Sequence, residues 1–228
     1  MFRGYSVLPR QKPVKCEMGG YNDRPEAMAE KFQLVAGHLA LDFANTLDNR
    51  YDPERLLELL PTYERFLAFA KQSGIITGQQ MRRILLETSE RNARYTHDQV
   101  IELRETLYFL FRSVASGRPP DQSCLRTLNR FLADTRIPDA IVWRKPDFSR
   151  ACRDLAERPD GPLWPVIDAA ANLLTSPDRH YVHECGEETC RWLFLDRSKN
   201  HSRRWCDMQI CGNRSKARRF HARLRNSG

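Results

Sequence analysis

The chain has 228 residues, with 37 Lys and Arg against 29 Asp and Glu and a formal net charge of +8. Hydrophobic residues at 41% and aromatics at 10% supply enough apolar mass for a packed core, which excludes wholesale disorder. No apolar run approaches the roughly 18 residues of a membrane helix, and the first 25 residues hold no stretch of signal-peptide type, so a cytoplasmic protein without a membrane partner is expected.

Residues 1–30 are rich in Gly, Pro and charge and read as a loose leader. Phe32 to Val35 and Leu39 to Phe43 suit short strands around a Gly37-His38 turn. Asp52-Pro53-Glu54 has the acid-then-proline order of a helix start. Tyr63, Phe66, Leu67 and Ala70 recur at helical spacing, with Gly74 as a stop. A helix is expected from about Gln79 to Asn92, and Thr96-His-Asp-Gln99 has the form of a capping box for the next. Val100, Leu103, Leu107, Leu110, Phe111 and Val114 then form an apolar stripe ending at Gly117. Leu125, Leu128, Phe131 and Leu132 form another, Ala140 to Arg144 suits a strand, and Trp164, Ile167, Ala171 and Leu174 mark a last helix before Ser176-Pro177-Asp178.

This region carries no glycine-rich phosphate loop, no H-E-x-x-H and no G-x-S-x-G, so no enzyme is expected. The polar residues Asp42, Asn45, Asp48, Asn49, Arg50 and Asp52 follow an apolar segment. They read either as capping side chains of a loop or as a small-molecule pocket lined by Asp42 and Asn45. His38, His97 and His180 lack neighbours at metal spacing and read as surface or capping residues.

The last 48 residues differ. Residues 181–228 hold 11 basic and 5 acidic side chains, a net of +6, leaving +2 for the first 180. Four of the seven cysteines, Cys185, Cys190, Cys206 and Cys211, fall here as C-x4-C-x15-C-x4-C. Without an export signal this pattern points to metal ligands ahead of disulfides, with one structural zinc as the expected cofactor; a redox pair and unrelated buried thiols are the competing readings. Arg191 to Asp196 alternates apolar side chains and reads as a strand, Arg197 to Ser202 as a turn, and Arg203 to Trp205 as the returning strand. After Cys211 an acid-free, helix-like run reaches Arg225, with Ala217, Phe220 and Leu224 placed to pack on Trp192 and Phe194. Four thiolates and a dication add −2, so the loaded segment keeps about +4.

Cys185-Gly186, Cys190, Phe194, Asp196, Ser198, Arg203-Arg204-Trp205-Cys206, Met208 and Cys211-Gly212-Asn213-Arg214 resemble, position by position, the CGNR zinc finger, which takes its name from the closing tetrapeptide. The match spans roughly residues 181–225. Where that family often has Ser after the third Cys, this chain has Asp207, an acid beside the expected binding face. A helical ABATE domain usually precedes the finger. Leu39-Ala-Leu-Asp-Phe-Ala-Asn-Thr46 resembles its opening motif, and Leu103-Arg-Glu-Thr-Leu-Tyr108 resembles a later helix. The resemblance implies a bacterial stress-induced transcription regulator.

The expected fold is mainly α: a helical N-terminal domain with a few short strands, then a small zinc-ribbon or treble-clef-like β-hairpin and helix. The expected divisions are 1–30, 31–178 and 179–228. Arg203, Arg204, Arg214, Lys216, Arg218, Arg219, Arg223 and Arg225 form the expected nucleic-acid face, with DNA favoured over RNA. Asn213 is expected to cap the last helix and Arg214 to touch phosphate. An acidic protein partner, a solvated surface, or a small-molecule effector on the helical domain are the alternatives left open.

Overall fold

The computed structural model describes residues 31–134, 140–144, 146–151 and 154–226, which belong to one compact unit. The expected leader, Cys16 and Cys152 lie outside them. Among the described residues the chain forms α1 (Leu39–Ala44), β1 (Leu47–Asp48), β2 (Leu57–Glu58), α2 (Tyr63–Gln72), α3 (Gly78–Glu87), α4 (Glu90–Ala115), α5 (Gln122–Asp134), β3 (Ala140–Arg144), β4 (Asp147–Ala151), α6 (Trp164–Thr175), β5 (Val182–Glu184), β6 (Leu193–Leu195) and α7 (Asn213–Asn226). The strands pair antiparallel as β1–β2, β3–β4 and β5–β6. The mainly helical fold and the C-terminal hairpin and helix are as expected; the local differences have physical causes.

Leu39–Ala44 is a helix, not a strand. A short apolar run has no periodicity to separate a buried helix from a buried strand, and here Ala40, Leu41, Phe43 and Ala44 are all buried. Gly37 makes the entry turn at φ +74, a conformation that L side chains rarely adopt. Asp52-Pro53-Glu54 starts no helix; turns lead from it to β2. The boundary between α3 and α4 falls at Thr88-Ser89, where the Ser89 hydroxyl accepts from Asn92. Thr96 therefore sits inside α4, and the reciprocal capping box is Thr77 with Gln80, at the start of α3. The Leu103–Phe111 stripe packs inward as its spacing implies, against Phe43, Phe66 and Phe69, whose rings meet at 5.7–6.3 Å.

A buried polar network lies beneath the β1–β2 ribbon. Arg104, 3% exposed, pairs with Glu58 and with Glu105, the latter at 2.9 Å. Glu105 also pairs with Arg50, whose guanidinium stacks 3.9 Å from the Tyr108 ring centre. Glu58 accepts the Leu60 N–H at 2.8 Å. Each charge thus meets an opposite charge or a hydrogen bond, as burial demands.

The hairpin is β5 with β6, in the register Val182↔Leu195, His183↔Phe194 and Glu184↔Leu193. The expected returning strand, Arg203 to Trp205, is not a strand; it meets the first cysteine loop through Gly186 N–H to the Arg204 carbonyl at 2.9 Å. A Cβ at Gly186 would stand 3.2 Å from that carbonyl, which explains a glycine directly after the first cysteine. Strand β6, buried throughout as Leu193, Phe194 and Leu195, gives its second edge to the helical region. The Asn45 side chain accepts from Leu193 N–H and donates to Leu193 C=O, both at 2.8 Å, and Leu195 N–H donates to the Ala36 carbonyl at 2.8 Å. A strand too short to stand alone is thereby completed on both sides.

Candidate metal centre and basic helix

The end of β5, a turn, a loop and a wider turn before α7 carry the four cysteines. Cys185 directly follows β5 and donates its N–H to the Trp192 carbonyl at 2.7 Å; Cys190 closes a turn, with its N–H on the Glu187 carbonyl at 3.1 Å. Cys206 follows a loop organised by Asp196, whose carboxylate accepts from the backbone of Ser198 at 2.9 Å and of Arg203 at 2.8 Å. Burial opposes ionisation of Asp196, but these hydrogen bonds outweigh it and hold its carboxyl below the usual range. Cys211 sits in a wide π-type turn, Met208–Gly212, that runs directly into α7. Asp207 caps this turn by accepting from Ile210 N–H at 2.9 Å. Asp207 is thus the capping residue, while Asn213 lies inside the helix and donates to the Gln209 carbonyl at 2.7 Å.

All four sulfurs are buried and lie within 4.8 Å of one another. Cys190 and Cys206 are 3.5 Å apart, Cys206 and Cys211 3.6 Å. A disulfide needs about 2.05 Å; a tetrahedron of roughly 2.3 Å zinc–sulfur bonds spaces its sulfurs by about 3.8 Å. Hydrogen bonds from Cys190, Cys206 and Cys211 hold the Cys185 thiol far below its usual range, and those same contacts push Cys190 and Cys206 far above it. A bound dication would let the clustered sulfurs ionise together. The donor set fits one structural zinc with no open position. Cys124 stands apart, half-buried, its thiol pushed up by burial.

The first cysteine loop also grips α7. Glu187, only 1% exposed, pairs with Arg218, which reaches Glu188 at 2.8 Å with its other nitrogen. Arg214 approaches the Thr189 hydroxyl at 3.5 Å. Arg203 turns inward: it donates to the Trp205 carbonyl at 2.8 Å and to the Cys206 carbonyl, and lies 4.7 Å from the Phe194 ring centre. Of the eight cations expected on one face, Arg203 and Arg218 therefore serve the chain's own structure, while Arg204, Arg214, Lys216, Arg219, Arg223 and Arg225 are exposed. Phe220 and Leu224, expected against Trp192 and Phe194, are 60% and 57% exposed.

The sequence pattern of the ABATE family, described as "Putative stress-induced transcription regulator", matches residues 37–177. The chain belongs to the ABATE family. The CGNR zinc finger pattern matches residues 182–224, so the ABATE region is followed by a CGNR finger whose four cysteines are those of the metal centre. No curated protein matches the chain at a significant level.

The ABATE region accounts for the two residues expected to line a pocket. Asn45, 3% exposed, commits both ends of its amide to Leu193 in the finger. Asp42 accepts the Ala36 N–H at 2.9 Å, and burial pushes its carboxyl up to about 6. Asn45 thus joins the finger's edge to the body, while Asp42 braces the Ala36 turn, whose carbonyl accepts from Leu195 N–H. Tyr108 adds a hydroxyl donated to the Arg191 carbonyl at 3.2 Å, and Arg112 pairs with Glu184 at 3.6 Å. His97 contacts the Leu60 carbonyl at 2.8 Å, while His38 occupies the position before α1 without a capping bond. Sequence reasoning missed Glu187 and Asp207 as structural acids; the signal was two carboxylates inside a segment otherwise crowded with Arg. No helix among the described residues is long and apolar enough to cross a membrane.

Proposed function

We propose that this ABATE protein is a cytoplasmic, DNA-binding transcription regulator of the stress-related kind its family description names. In this reading residues 179–228 make the contact and residues 31–178 form the body that carries and assembles it. The observation behind it is the attachment of α7. Six cations and no acid lie on a helix that starts two residues after the last zinc ligand and is pinned to the first cysteine loop by Arg218 and Glu187. The metal therefore sets the direction of a cationic rod. Such a rod suits phosphate contact, where each neutralised phosphate releases counterions.

The interface assigned is Arg204, Arg214, Lys216, Arg219, Arg223 and Arg225. Arg203 and Arg218 act indirectly, by shaping the finger. A salt series on the full-length zinc protein tests this. The Arg219→Ala/Arg223→Ala variant should lower the slope of log affinity against log salt by up to about 2, at about 0.9 for each phosphate left without its cation. An unchanged slope would remove α7 from the interface.

A further inference from the structure

Helix α7 is mounted with its apolar side outward. Its half-buried residues are Ser215, Arg218 and Ala222, spaced i, i+3, i+7, so one stripe faces the finger. At 100° per residue, Ala217, Phe220 and Leu224 fall on the opposite side. All three are exposed, Phe220 by 60% and Leu224 by 57%. Lys216, Arg219 and Arg223 run along one flank of this outer stripe, and Arg214, His221 and Arg225 along the other. An ordinary surface helix buries its apolar stripe. This one instead turns a half-buried arginine onto the buried Glu187 and offers water an apolar stripe between two cationic rails.

The charges decide what covers such a face. A second copy of the same helix would bring cationic rails against cationic rails, without an acid on either helix to relieve them. The occupant must be anionic along two parallel lines and apolar between them. The major groove of a DNA duplex has that form: two phosphate backbones bound a channel roughly 12 Å wide, and the thymine C5-methyl groups are its apolar floor. A helix with its side chains is about 10–12 Å across, and the 14 residues of α7 span about 21 Å.

We infer that α7 enters the major groove outer stripe first, with Phe220 and Leu224 on thymine methyl groups and the two rails on opposite phosphate backbones. This rests on the nucleic-acid reading above and adds to it which face enters, which groove it enters and what it reads. Arg219 and Lys216 then supply affinity and salt dependence, while Phe220 and Leu224 supply preference for thymine-containing steps.

The test uses the zinc-loaded full chain, a duplex enriched from a random pool by that chain, and the same duplex with uracil in place of thymine, which removes only the methyl groups. Fluorescence anisotropy should show weaker binding to the uracil duplex, by about four-fold per contacted methyl. The Phe220→Ser/Leu224→Ser variant should bind both duplexes alike, with its salt slope unchanged. Both positions are exposed, so zinc content and thermal midpoint should stay at the parental values. The Lys216→Ala/Arg219→Ala variant should show the reverse: a lower salt slope with the thymine-to-uracil ratio kept. Equal binding of the two duplexes by the parental chain would overturn the inference. So would a double-serine variant that keeps the ratio, which would leave the stripe to an acidic protein partner. Failure of the parental chain to enrich any duplex would overturn the nucleic-acid reading as well, so the two failures are distinct.

Discussion

Single side chains hold the finger to its body. Asn45 does with one amide what a third strand would do with a backbone, and a side chain can do so only because β6 leaves Leu193 N–H and C=O pointing the same way. Asp42 stands beside it with a measurable consequence. Its carboxyl, ordinarily at 3.8, is raised to about 6 by burial. The folded state therefore holds its proton more tightly than the unfolded state between these values, and stability must fall as pH rises from about 4 to about 6. Asn at position 42 can still accept the Ala36 N–H but cannot titrate. Thermal melts of the parental chain and the Asp42→Asn variant should diverge across that window in favour of the variant and run parallel above it. A constant difference from pH 4 to 7 would show that Asp42 does not carry the effect.

At the level of elements, the reach of sequence reasoning followed the strength of the periodic signal. Helices α2, α4 and α6 carry several apolar residues at helical spacing, and Leu103, Leu107 and Phe111 are buried as that spacing demands. The zinc ligands were legible because four cysteines at fixed intervals are an unusual pattern. Three features were not legible. Leu39–Ala44 is too short and too uniformly apolar to show a period. The partner of β6 lies on the far side of the cysteine loop, and spacing alone cannot choose between Val182–Glu184 and Arg203–Trp205. The orientation of α7 follows polar ties to the first cysteine loop, Arg218 with Glu187 foremost, and not the apolar stripe. Arg218→Ala should leave Glu187 buried without its partner and lower the stability of the finger by about 1–3 kcal/mol. A chelator-challenge midpoint can measure it, and Arg218→Ala/Glu187→Gln should recover part of the loss. No change in the single variant would mean that α7 is held by other contacts.

Across the whole molecule, the finger is not a bead on a linker. Phe194 and its strand neighbours join the same buried cluster as Phe43 and Phe111 of the helical region, and the four cysteines border it. From its size alone the C-terminal segment should unfold completely without metal, since it has too little apolar mass of its own. The structure narrows that expectation. The β5–β6 hairpin draws its burial from the body, whereas residues 207–226 are tied to it through Cys206, Cys211 and the Glu187 anchor. Metal loss should therefore release α7 first and leave the helical body folded. In the proposed function the net +6 of the C-terminal segment can act only while the sulfurs hold α7 in one direction.

The proposed function has zinc set the direction of the helix that meets nucleic acid. It is tested most directly by titrating the full-length protein with a chelator while metal release and duplex anisotropy are read in the same sample. One zinc per chain should be found, and duplex binding should fall in step with its release, with the helical circular dichroism of the body largely kept. Purified protein without zinc, or duplex binding that survives complete metal removal, would overturn the proposed function.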